Sequence, residues 1–95
     1  MHAVVRRYTY SGQGLTDLIT ELGDDLRQTM AKTPGFQSYS MVVGDGTLAT
    51  ITMCADKAGT EASNRIAAEW VKANMPATIQ LSAPEMTEGE VALSS

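Results

Sequence analysis

The stretch from Thr33 to Cys54 constrains this chain more than any other part of it. Thr33-Pro34-Gly35-Phe36 opens a strand-like run to Val43, Gly44-Asp45-Gly46 follows, and a second strand-like run extends from Thr47 to Cys54. Pro34 pushes Thr33 out of the helical region, and Gly35 releases the chain from whatever helix precedes it. Gly44, Asp45 and Gly46 supply the positive-φ positions that a short hairpin demands. A helix stopped by Pro-Gly and followed at once by a hairpin sets the centre of a β-α-β-β-α-β order.

The flanks fit that order. Ala3 to Tyr10 is rich in Val, Tyr and Thr and reads as a strand, with Val4, Arg6, Tyr8 and Tyr10 on one face and Ala3, Val5, Arg7 and Thr9 on the other. From Leu15 the period changes. Leu15, Leu18, Ile19, Leu22, Leu26 and Met30 recur at helical spacing, with Thr16 as the expected N-cap. A second helix is expected from Asp56 or Thr60 to about Asn74. Its inner stripe is Ala62, Ile66, Trp70 and Ala73, and the ladder Glu61, Arg65, Glu69, Lys72 forms its solvated face. Residues 77–82 fit either a helical turn or an extended piece, and Glu85 to Leu93 is the expected fourth strand.

Both faces of the hairpin carry apolar residues, Phe36 and Val42 on one and Tyr39, Met41 and Val43 on the other. A sheet buried on one face only would alternate more cleanly. Helices are therefore expected over one face and a further layer over the other. The 95 residues are read as one domain, 1–95, which buries only about two-thirds of its unfolded surface and gains much from a second subunit. A homodimer through the sheet face, with Met41 and Val43 at the interface, is the expected partner arrangement.

Charge and cysteine usage exclude several classes. Seven scattered Lys and Arg residues in a chain of net charge −4 argue against a nucleic-acid partner. The strand Thr47 to Cys54 also lacks the aromatic and basic glycine-rich words of an RNA-recognition domain. A single Cys54 rules out an internal disulfide, a cysteine zinc site and an iron–sulfur ferredoxin. The lone thiol, the absence of a signal-peptide apolar region after Met1 and the lack of an apolar run of about 18 residues predict a cytoplasmic protein without membrane contact. Asp24-Asp25 and the Glu85, Glu88, Glu90 set contain neither His nor Cys, so no metal site is expected.

Taken together, Val4-Val5-Arg6-Arg7-Tyr8, Pro34-Gly35-Phe36, the Gly-Asp-Gly hairpin, Glu61 to Val71 and Pro84 to Val91 resemble the antibiotic-biosynthesis-monooxygenase-like domains of the dimeric α+β barrel superfamily. The resemblance covers nearly the whole chain. It implies an α+β, ferredoxin-like fold whose antiparallel sheet pairs with that of a second subunit, the helices lying outside and a pocket between sheet and helices. Members oxidise aromatic polyketides or quinols without metal or flavin, degrade haem, or carry out no known chemistry. Haem-degrading members use an Asn on the first strand and a Trp and a His associated with the second helix. Here the first strand has no Asn, and the only histidine is His2, so a haem-degrading role fits poorly.

Arg6 and Arg7 are the candidates for holding a carboxylate, phenolate or enolate, with Tyr8 as hydrogen-bond donor. The structural alternative pairs one arginine with Glu88 or Glu90 across the dimer and lets the other reach solvent. Trp70 is either core or the apolar wall of an aromatic-ligand pocket. Tyr39 and Asn64, which sits beside the Trp70 stripe, complete the candidate ligand-binding set. Cys54 is read as a small buried apolar group and His2 as exposed and idle. Two functions survive: a cofactor-independent monooxygenase acting on a small aromatic or quinol-like substrate, and a non-catalytic homodimeric module for a small ligand or an interaction.

Overall fold

A computed structural model describes residues 1–94 of the chain. Its elements run β1 (His2–Gly12), α1 (Leu15–Ala31), β2 (Phe36–Val43), β3 (Thr47–Cys54), α2 (Lys57–Asn74), β4 (Ile79–Leu81) and β5 (Glu85–Glu90). This is the expected β-α-β-β-α-β order, with the last strand broken into two pieces at Ser82-Ala83-Pro84. All pairings are antiparallel, in the order β2-β3-β1-β4. β1 therefore sits in the middle of the sheet. One of its edges pairs with β3 from His2 to Thr9, while the other takes β5 along His2 to Arg7 and β4 along Tyr10 to Gly12.

Both helices cover the same sheet face. His2, Val4, Arg6 and Tyr8 of β1 point towards them and are buried, as are Leu48, Thr50, Thr52 and Cys54 of β3. The opposite face presents Ala3, Val5, Ala49, Ile51 and Met53, all half-buried, beside Val42, which is 59% exposed. The residues left open on this face are not the ones expected from the hairpin pattern. Register shifts between Phe36 and Ser38, which leaves Gln37 as an extra residue and turns Phe36 onto the helix side with Tyr39 and Met41. Met41 thus packs beneath the helices, and Val42 takes its place on the open face.

The apolar core is Leu26 and Met30 from α1 against Ala67 and Trp70 from α2, with Phe36, Tyr39 and Met41 beneath. The helix starts differ from each other. Gly14, at φ 102°, occupies the N-cap of α1 without a side-chain cap, and Thr16 lies inside the first turn. Asp56 caps α2, accepting a hydrogen bond from the Gly59 amide at 3.1 Å. Ala73 of the expected inner stripe is exposed, whereas Thr60 and Ser63 are fully buried, so the inner face of α2 begins polar and ends apolar. Glu61, Arg65, Glu69 and Lys72 are exposed. Among the described residues, no helix is long and apolar enough to cross a membrane.

Candidate functional site

The inward residues of β1 pass from a polar to an apolar environment as the strand runs from His2 to Tyr8. At the polar end stands Arg6, 1% exposed. Its Nε donates to Asn64 Oδ1 at 3.0 Å, one terminal nitrogen donates to Thr52 at 3.0 Å and to Thr50 at 3.4 Å, and the other donates to Ser63 Oγ at 2.6 Å. Every one of these acceptors is neutral, and none of the ion pairs among the described residues includes Arg6. Burial lowers the Arg6 pKa, with Tyr8, Tyr39, Glu88 and Cys54 acting in the opposite direction. A guanidinium nonetheless stays protonated in proteins. Arg6 is a buried cation without a contacting carboxylate.

Three further polar groups extend this end. His2 is buried, correcting the expectation that it is exposed. Its Nδ1 lies 2.7 Å from Thr60 Oγ1, which is 3.0 Å from Glu88 Oε1. Ser63 donates to the Thr60 carbonyl at 2.6 Å. The small residues at the start of α2 permit this closeness. Arg7, by contrast, points to the open sheet face and pairs with Glu85 of its own chain at 3.3 Å, both side chains being largely exposed. Within the chain, neither arginine forms an ion pair with Glu88 or Glu90.

Beyond Tyr8 the space widens into a cavity of about 330 Å³ between α1, α2 and the sheet. Tyr8 and Tyr39 rise from the sheet, Leu18 and Gly23 face them from α1, and Ala67 and Trp70 close the α2 side. Trp70 is tied across the helices: its indole N–H donates to Asp25 of α1 at 2.9 Å. Asp24 and Arg27, paired with each other, also border the cavity. Burial pushes Tyr39 up to about 12, the Arg6 guanidinium opposing and Tyr8 adding to the rise. Burial likewise raises Tyr8, against the pull of Arg6. Both phenols are therefore neutral hydrogen-bond donors at physiological pH, not bases.

Of the residues singled out from sequence, Tyr8, Tyr39 and Trp70 line this larger cavity. Arg6, Tyr8 and Asn64 line a smaller neighbouring one, and Arg7 lines neither. Sequence reasoning missed the polar partners of Arg6. Thr50 and Thr52 are two apart on one strand, and Ser63 and Asn64 are adjacent on the second helix, yet only the crossing of β1 under α2 brings them together. It also missed Asp25, whose exposed helical position carries no local sign that a tryptophan binds it.

No protein-family model matches the sequence, and no curated protein matches it. Solved structures do match. A protein of unknown function from Nitrosomonas europaea is 21% identical, with a TM-score of 0.72 over 99% of this chain and 91% of that one. SnoaB, a cofactor-independent oxygenase from Streptomyces nogalater, is 17% identical, with a TM-score of 0.64 over 98% and 94%. An antibiotic biosynthesis monooxygenase is 13% identical, with a TM-score of 0.65 over 98% of this chain and the whole of the other. The class defined is an antiparallel, ferredoxin-like α+β domain. More closely, the chain has the fold of the antibiotic-biosynthesis-monooxygenase-like domains.

Proposed function

We propose that the chain forms a homodimer through its open sheet face. In this reading it binds a small aromatic or quinol-like molecule in the larger cavity and oxidises it with dioxygen without a cofactor. The observation that carries the proposal is the cavity itself, apolar and aromatic, with two phenol donors whose pKa values are raised by burial. Its volume lies at the lower end of the range for small-molecule sites. The half-buried Val5, Ile51 and Met53 on the open face support the dimer, because a second sheet would remove them from water.

The chemistry suits a substrate that ionises readily to a carbanion or enolate. The carbanion passes one electron to dioxygen, and the resulting radical pair combines to a peroxide at that carbon. Loss of water then leaves a carbonyl, so a methylene and dioxygen become a ketone and water. The protein's part is to exclude solvent, clamp the ring beside Trp70, and donate hydrogen bonds from Tyr8 and Tyr39 to the developing oxyanion.

A second reading, a non-catalytic binding module, is favoured by one specific feature. Among the residues lining the larger cavity the only carboxylate is Asp24, already paired with Arg27, and no histidine is present. A substrate must therefore lose its proton without a dedicated base. Oxygen uptake with anthrone as the probe separates the two readings. The oxygenase reading expects saturable consumption, reduced about tenfold or more in Tyr8→Phe with little change in binding. Saturable quenching of Trp70 fluorescence without oxygen uptake leaves the binding module.

A further inference from the structure

Next to the larger cavity lies a second one of about 270 Å³, and the two share Tyr8, Val71 and Leu81. Arg6, Asn64, Pro84 and Met86 form much of its remaining wall. A guanidinium has five N–H groups, and four neutral oxygens accept from this one. The Asn64 carbonyl oxygen is engaged by Arg6, which leaves its amide N–H₂ as the donor available to the cavity. Tyr8 borders both chambers. The nearest acidic group on β5, Glu88, is already bonded to Thr60 and does not contact Arg6.

A dry cation held only by neutral acceptors, beside an amide and a phenol that both donate, is an arrangement for a negatively charged ligand. Its donors come from two elements, Arg6 and Tyr8 from β1 and Asn64 from α2, which suits a group with two acceptor oxygens better than a single-oxygen anion. Arg6 and Tyr8 are two residues apart on one strand face, so both line the smaller cavity from β1.

We infer that the smaller cavity is a carboxylate-binding site and that the molecule taken by the protein is a planar aromatic carboxylate. Its ring lies in the larger cavity, and its charged group lies against Arg6, Asn64 and Tyr8. The inference rests on the aromatic-ligand reading above and adds the charge that the ligand must carry.

The test titrates the intact protein at pH 7 with 2-naphthoate and with the neutral isostere 2-naphthamide. It follows the Trp70 Nε1–H and Arg6 Nε–H signals in one ¹H–¹⁵N spectrum. The expected result is that naphthoate moves both signals and binds at least about tenfold more tightly than the amide. In Asn64→Asp, which keeps the acceptor for Arg6 but supplies an internal counter-ion, that preference should disappear while the spectrum stays folded. Equal affinity for the two compounds, an unmoved Arg6 signal when Trp70 responds, or an unchanged preference in Asn64→Asp overturns the carboxylate site and leaves the aromatic reading standing. A response at Arg6 without one at Trp70 upholds the carboxylate site and overturns the aromatic reading. Silence at both overturns both.

Discussion

Two helical glycines, Gly59 in α2 and Gly23 in α1, occupy opposite ends of the space under the helices. A Cβ on Gly59 would lie 2.5 Å from the Pro34 carbonyl oxygen and 2.7 Å from Cys54 Cβ. On Gly23 it would meet nothing nearer than the Ile19 methyl at 3.8 Å. The first glycine belongs to the polar half, where His2, Arg6, Thr52, Thr60 and Ser63 are almost wholly buried and bonded to one another or to the backbone. The second borders the larger cavity, where Leu18 and Ile19 of the apolar stripe are only half-buried. One end of the domain is filled by hydrogen-bonded polar groups without slack. The other has apolar walls and room between them. Stability is concentrated in the first, and capacity for a ligand in the second.

The largest expected effect would break this contrast at its tight end. Alanine is favoured over glycine in a helix by about 1 kcal/mol, yet Gly59→Ala should lose about 2 kcal/mol, because the new methyl meets backbone and a strand side chain. Urea unfolding followed by far-ultraviolet circular dichroism measures it. An unchanged or raised midpoint would show that α2 is not pressed against the sheet there. The same substitution sharpens the comparison at the loose end: Gly23→Ala should gain up to about 1 kcal/mol in the same assay.

The smallest effect is silent at neutral pH. Unfolded tyrosine ionises near pH 10, whereas burial holds Tyr39 to about 12. Between those values the unfolded chain has released a proton that the folded one keeps. The stabilisation is thus complete below pH 10 and is lost as pH rises through 12. Phenolate absorbance should show a late step that Tyr39→Phe removes. Ionisation of all three tyrosines in one ordinary step would mean that the floor of the larger cavity is wet.

The order of elements was legible because punctuation and period are local: Pro34-Gly35, the Gly44 to Gly46 hairpin and the 3.6-residue stripe of α1 each declare themselves within a few residues. The two faces of β1 were also separable. Which residues of β2 face the helices was not, since one extra residue at Gln37 reverses the alternation without any glycine or proline to mark it. Tyr8, Tyr39 and Trp70 could be named as candidates from their chemistry. The role of Asn64 as an acceptor for Arg6 could not, because 58 residues separate them and the bond exists only where α2 crosses β1. His2 was misread for the same reason: its partner Thr60 is equally distant in sequence, so nothing near the start of the chain announces its burial.

The contact between Gly59 and Cys54 has a kinetic consequence. Cys54 is the chain's only thiol. It is wholly buried, and burial, with Asp56 adding to it and Arg6 opposing, keeps its pKa above the ordinary range. A disulfide reagent in solution can reach that sulfur only when the start of α2 lifts from the end of β3. The rate of thiol labelling therefore times a single event, the opening of the tight end, independently of movements around the cavity. The protein thus carries a built-in clock for its own local unfolding, read with one reagent and no engineered label.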